Sequence, residues 1–271
     1  YGDEPKTHQI PKYRSAYDKY QKQLGKPLIT CLLAGSTGQD DPRDPLKLWK
    51  LLDPKLRFCR LYPYRKNEFG LVNWAKQKYK FSPAEIFEKI EKASPEPWWY
   101  ILQIFGKPAK PGKEPYWRNP SANELVALSH LALANGARGI IGWAFQCHGN
   151  NLTCVVDQYT LKPIDGKLSG LKRIGAILKD HSALLLRHKR GDFPVNSDSA
   201  EVVAVPRVDP DSNLKYVYAV NQDPVKSVNV KLTVPDAGTA IDIYSGMTYK
   251  VIDGTLSLKM APAQGMFLEL K

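Results

Sequence analysis

Short apolar runs alternate with amphipathic stretches through the first two thirds of the chain, and that alternation predicts βα units of a parallel sheet. Four runs read as strands, at 27–34, 56–62, 98–105 and 138–145, each after a helix-like stretch. Tyr13, Tyr17, Tyr20 and Leu24 share one face of a first helix. The run from Leu28 to Ala34 is almost wholly apolar, as a strand covered on both faces should be, and ends in the flexible Gly35-Ser36-Thr37-Gly38. Asp44 and Pro45 read as the N-cap and first-turn proline of a short helix through Leu52. Ser82 with Glu85, and Ser121 with Glu124, have capping-box spacing and open helices to about Lys92 and to Asn135. Leu168 to Arg187 is the last amphipathic helix.

From Ser199 the period changes to two. Seven short strands are expected, at 201–205, 215–220, 228–234, 240–244, 248–252, 255–260 and 266–270, parted by Asp-, Asn-, Pro- and Gly-rich turns. An antiparallel sandwich is the natural reading. The charge changes sign at the same place. Through Arg190 there are 32 Lys+Arg against 17 Asp+Glu, and from Gly191 onward 7 against 10, giving +15 and −3 and the net +12. Two domains are therefore expected, 1–190 and 191–271, of an α/β class followed by an all-β class.

The positive balance raises nucleic acid as a partner. Its lysines and arginines are scattered over helix faces, as Lys12, Arg14, Lys19, Lys22 and Lys26 are, with no dense basic run and no nucleic-acid motif, so that partner is not expected. No segment approaches the roughly 18–20 apolar residues of a membrane-crossing helix, and no signal peptide is visible. Tyr1 opens the chain without an initiator Met, inside what reads as a structural unit, and an upstream segment is expected. Cys31, Cys59, Cys147 and Cys154 have no zinc spacing and the five histidines lie far apart, so neither a metal nor a cofactor is expected. Cys31 and Cys59 read as buried thiols, although neighbouring strands would bring them close enough to pair. Cys147 and Cys154 flank a polar loop carrying the sequon Asn151-Leu152-Thr153 and suit a local disulfide. His130, His181 and His188 fall on helices, where packing or surface roles are expected.

The order of motifs resembles the second half of a (β/α)8-barrel glycoside hydrolase of the large retaining clan that includes β-galactosidases, with the small all-β domain such enzymes carry. The resemblance rests on Tyr1-Gly2-Asp3-Glu4-Pro5 at the end of a fourth strand, Tyr62-Pro63 after a sixth, Gln103-Ile104-Phe105-Gly106 after a seventh, and Asn135-Gly136-Ala137-Arg138-Gly139-Ile140 with Trp143 in an eighth. It implies a partial TIM barrel of about the last four to five strands followed by the β-sandwich, and an extracellular or periplasmic location.

In that family the Glu ending the fourth strand is the general acid/base, and Glu4 matches it. A plain alternative is that Glu4 caps the following helix. Asp3 is the expected supporter, a second charge raising the pKa of Glu4. The family's nucleophile, a Glu about 5 Å from the acid at the end of the seventh strand, is replaced by Gln103, and an amide cannot serve. Glu114, in the long loop, is the next acidic residue along the chain. A partner carboxylate elsewhere, an inverting mechanism, or a glycan-binding barrel without catalysis all remain open. Trp143 resembles the platform on which such enzymes stack a sugar, with core packing an equal alternative. Tyr62, Trp117 and Arg118 are weaker candidates for the cleft rim. The expected function is glycosidic-bond hydrolysis on a carbohydrate partner, with non-catalytic glycan binding as the runner-up. The basic charge leaves room for a uronate or sulfated glycan.

Overall fold

The computed structural model describes residues 2–3, 10–24, 29–33, 56–64, 82–93, 97–107, 117–145, 153–157, 159–235 and 237–271. Five strands, β1 (Gly2–Asp3), β2 (Ile29–Leu33), β3 (Leu56–Leu61), β4 (Trp98–Gln103) and β5 (Ala137–Trp143), lie side by side in that order, and every pair is parallel. Consecutive strands being neighbours is what βα units produce. Helices α1 (Ile10–Leu24), α2 (Pro83–Ala93), α3 (Ala122–Ala134) and α4 (Lys167–Arg187) accompany them. The expected helix from Asp44 to Leu52 lies outside the described residues.

Both predicted capping boxes form. Ser82 N donates to Glu85 Oε2 at 2.6 Å while Glu85 N donates to Ser82 Oγ at 3.2 Å. Ser121 and Glu124 repeat the exchange at 2.8 and 3.2 Å. Because each side chain satisfies an amide that the first turn leaves without a partner, the helix starts are fixed by local chemistry.

The remaining strands are β6 (Lys189–Arg190), β7 (Asn196–Ser197), β8 (Val202–Val208), β9 (Lys215–Asn221), β10 (Val228–Thr233), β11 (Thr239–Asp242), β12 (Thr248–Ile252), β13 (Thr255–Met260) and β14 (Gly265–Leu270). All seven expected strands are present, joined by the two-residue β6 and β7. They make one hydrogen-bonded antiparallel sheet, ordered β6-β8-β9-β14-β11-β12-β13-β10-β7. The separate sheets of the expected sandwich are thus a single curled one. β12 pairs with β11 on one side and β13 on the other, so the ladder never breaks. A long twisted sheet curls and encloses its own core, here Val217, Ala219, Leu232, Leu256, Met260 and Leu268 among others.

β9 and β14 are covered on both faces. Val217, Ala219, Met266 and Leu268 turn into the curled sheet, while Tyr216, Tyr218, Val220 and Phe267 join the core around α3. On its other side α3 packs against β4 and β5, with α2 and α4 alongside. Every α3 residue from Glu124 to Ala134 is buried, which explains why the helix is apolar all round and not striped. His130 Nδ1 lies 2.8 Å from Tyr218 Oη, and Tyr244 Oη is 2.9 Å from the same oxygen, so the junction also carries a buried polar chain.

Candidate functional site

The carboxyl ends of parallel strands are where backbone groups and loops converge in sheets of this kind. At the ends of β3, β4 and β5 the loops are stitched together by main-chain bonds. Ile104 N donates to Trp143 O (3.0 Å), Arg118 N to Tyr64 O (3.1 Å), Lys107 N to Trp117 O (2.8 Å), and Gly106 and Thr153 exchange bonds of 2.9 and 2.7 Å. Gly106 is required there, because a Cβ would stand 2.4 Å from Asn119 Oδ1 and 2.7 Å from Asn119 N. The Trp143–Ala144 peptide is cis.

Five of the expected residues, Tyr62, Gln103, Trp117, Arg118 and Trp143, lie at these strand ends. The Tyr62 ring meets Phe105 edge-on at 5.1 Å, Phe105 meets Trp117 edge-on at 5.6 Å, and the Arg60 guanidinium lies 5.1 Å from the centre of Tyr62. Tyr62 is buried beside Phe105 and Cys154, while Trp117 and Ala144 are partly covered. Arg118 grips Glu124 with two bonds, 2.8 and 2.5 Å, and lies 5.0 Å above the ring of Tyr64. Its charge is neutralised by that carboxylate, so it positions the loop against the start of α3.

Gln103 has 0% exposure. Its amide nitrogen donates to Tyr64 O (3.2 Å) and Phe105 O (3.1 Å), and its oxygen accepts from Tyr64 N (3.1 Å). In the position that the family resemblance gives to a nucleophile stands an amide fastening two loops, with its polar atoms committed to backbone. Trp143, one strand over, is 54% exposed and Phe145 52%. The indole is therefore outside the core, at the strand end where a ligand could reach it.

Asp3 is the last residue of β1, three strands from Gln103 in the sheet order, and only its backbone pairing with Cys31 is described. Glu4, Glu114, Cys147 and the sequon's Asn151 and Leu152 lie outside the described residues. Cys154 is disulfide-bonded, and Cys59 is buried in β3. Among the described residues no group of His, Cys, Asp and Glu is arranged to hold a metal, and no helix is long and apolar enough to cross a membrane.

Two contributors were not anticipated. Phe105 sits at the centre of the aromatic cluster. Lys167 is buried in the first turn of α4, where its ammonium donates to Asn119 Oδ1 (3.0 Å) and Thr153 O (3.3 Å), and burial pulls it down to about 8. A lysine in a helix's first turn opposes the helix dipole, and that misfit was the readable signal.

No protein-family model matches the chain, and neither does any curated protein. Solved structures do. A β-galactosidase from G. stearothermophilus superposes with a TM-score of 0.62 at 8% identity, over 96% of this chain and 66% of its own. An α-galactosidase from Mortierella vinacea gives 0.55 at 11%, over 98% and 64%. AmyP, solved in complex with maltose, gives 0.55 at 12%, over 99% and 63%. This chain spans less than two thirds of those proteins. Over that portion, its fold is the one found in these glycoside hydrolases.

Proposed function

We propose that this chain supplies the second part of a (β/α)8 barrel, its last five strands, with an all-β domain behind it, and that it takes part in hydrolysing glycosidic bonds. Residues 1–190 form the barrel portion and 191–271 the β domain. The carrying observation is the exposed indole of Trp143 at the carboxyl end of β5, beside a rim in which Tyr62, Phe105 and Trp117 are already packed. An apolar sugar face stacks on such a surface, and aromatic rings that are held in place lose little freedom on binding. The glycosidase fold of the neighbours supports the same reading.

Glu4, one residue beyond β1, is the proposed acid/base, with Asp3 supporting it. Gln103, Tyr62 and Arg118 act from beneath, by fixing the loops on which the substrate rests. The second carboxylate that hydrolysis needs comes from outside position 103. The Cys154 disulfide supports an extracellular or periplasmic location, since such bonds persist in oxidising compartments.

A panel of aryl glycosides, tested with wild type, Glu4→Gln and Trp143→Ala, examines this directly. Turnover abolished by the first substitution and a raised KM with the second are expected. Glycan binding without turnover in wild type would replace the enzyme by a binding barrel. Neither binding nor turnover would remove the reading.

A further inference from the structure

At the opposite end of the parallel sheet, where β4 and β5 begin, lies a cavity of about 590 Å³. Its apolar wall is Pro97, Trp98 and Leu186. The rest is strongly cationic: Arg138 from β5, Arg187 from the end of α4, Lys189 and Arg190 from β6, and Arg207 from β8, against the single carboxylate of Glu91. Carboxylates do not cancel that charge. Glu91 pairs with both Arg207 and Arg190, Glu88 with Arg190 at 2.7 Å, and Asp209 with Arg187 at 2.8 Å. Those three carboxylates serve Arg187, Arg190 and Arg207, and Glu88 is shared with Lys92 as well, while among the described residues Arg138 and Lys189 make no ion pair.

Arg138 is the informative member. Its guanidinium donates to the carbonyls of Leu185 (2.5 Å) and His188 (2.8 Å) at the end of α4, using two of its five N–H groups and leaving three. Burial, and then the nearby Arg207, pull its pKa down to about 10 against the opposing pull of Glu91, so the group is still a cation at neutral pH. His188 adds no charge. Its Nδ1 accepts from Arg207 Nε at 3.0 Å, and burial with the two guanidiniums holds it well below the ordinary histidine value.

We propose that this cavity binds a phosphate-monoester dianion, with the oxyanion on Arg138 and Lys189 and the organic part against Trp98 and Leu186. A planar guanidinium with free donors suits a tetrahedral oxyanion, and two unpaired cations match a dianion. The volume fits a small molecule of about sugar size. Since β5, β6 and β8 all contribute, an occupant would clamp the parallel sheet to the curled one. The site is independent of the glycosidase reading, being at the other end of the strands.

Calorimetric titration and thermal melting of the full chain, at constant ionic strength, with sodium phosphate, sodium sulfate, glucose 6-phosphate and chloride as the reference, test it. Saturable binding and a raised Tm with the oxyanions but not chloride are expected. Lys189→Gln and Arg138→Gln should each weaken binding about tenfold, as losing one charge-assisted contact does, while Lys172→Gln and Lys179→Gln on exposed α4 positions should not. Tighter binding of the ester than of free phosphate assigns the ester as ligand; equal binding supports a free oxyanion in the same site. If Arg138→Gln fails to fold, Lys189→Glu, at an exposed position, decides. Absence of saturable binding in wild type, or binding that the Lys189 variants leave unchanged, overturns the proposal.

Discussion

Exchanging Gln103 for Glu swaps an amide for the carboxylate a glycosyl nucleophile needs, at almost constant volume. The amide nitrogen gives hydrogen bonds to two carbonyls, Tyr64 O and Phe105 O, in a position with no exposure. A carboxylate would face both with oxygen against oxygen. Losing two such bonds in dry protein costs about 1–3 kcal/mol each. The alternative is for the new carboxyl to keep a proton and restore one bond. At pH 7 that costs about 1.4 kcal/mol for each pH unit above an ordinary value near 4.3, roughly 3.7 kcal/mol. By either route the variant is expected to be about 3–5 kcal/mol less stable at neutral pH. The proton route fixes a sign. The folded variant holds a proton that the unfolded chain releases above about 4.3, so the deficit grows as pH rises and shrinks towards that value. Urea unfolding of both proteins across this range reads the deficit and its slope, and no gain in aryl-glycoside hydrolysis is expected. A deficit below about 1 kcal/mol that is also flat with pH would refute the reasoning, because the carboxylate would then be in contact with water.

Other consequences can be measured independently. Burial, and then the charge of Arg173, hold His130 at about 3 when folded, so the unfolded chain takes up a proton below about 6.5 that the folded one refuses; stability should fall with decreasing pH by about 1.4 kcal/mol per unit from this group, and His130→Gln, which can still bond Tyr218, should remove that share of the slope. Gly265→Ala should cost about 1–3 kcal/mol by chemical denaturation, since its Cβ would stand 2.2 Å from Nδ1 of the buried His130. Glu91→Gln should cost about 3–5 kcal/mol in the same assay, because it deprives the buried Arg207 of its carboxylate.

Much of this architecture is legible from residue order. Near-continuous apolar runs gave β2 and β4, capping pairs gave the starts of α2 and α3, and period-two patterning gave every long strand after Ser199. β6 and β7 escaped because two residues carry no period. The single curled sheet escaped because alternation describes each strand's faces and says nothing about whether the β11–β12–β13 ladder continues. For Lys215–Asn221, near-continuous hydrophobicity does signal a strand covered on both faces, as Tyr218 and Val217 bury on opposite sides. At the candidate site the aromatic types of Tyr62, Trp117 and Trp143 placed them near the rim. What Gln103 does was not readable, since an amide that reaches sugar and one that clamps loops have the same letter. Likewise the Arg138 cavity assembles from segments up to 116 residues apart, a proximity that only tertiary packing creates.

The all-round burial of α3 has a practical corollary for anyone dissecting this molecule. A cut after residue 190, at the expected domain boundary, would strip Tyr218 and Phe267 from the helix and leave His130 and its apolar neighbours bathed in water. Each half would lose its lid. Expressed apart, the pieces should clump or melt early, and mixing them should restore a cooperative transition that neither fragment has alone.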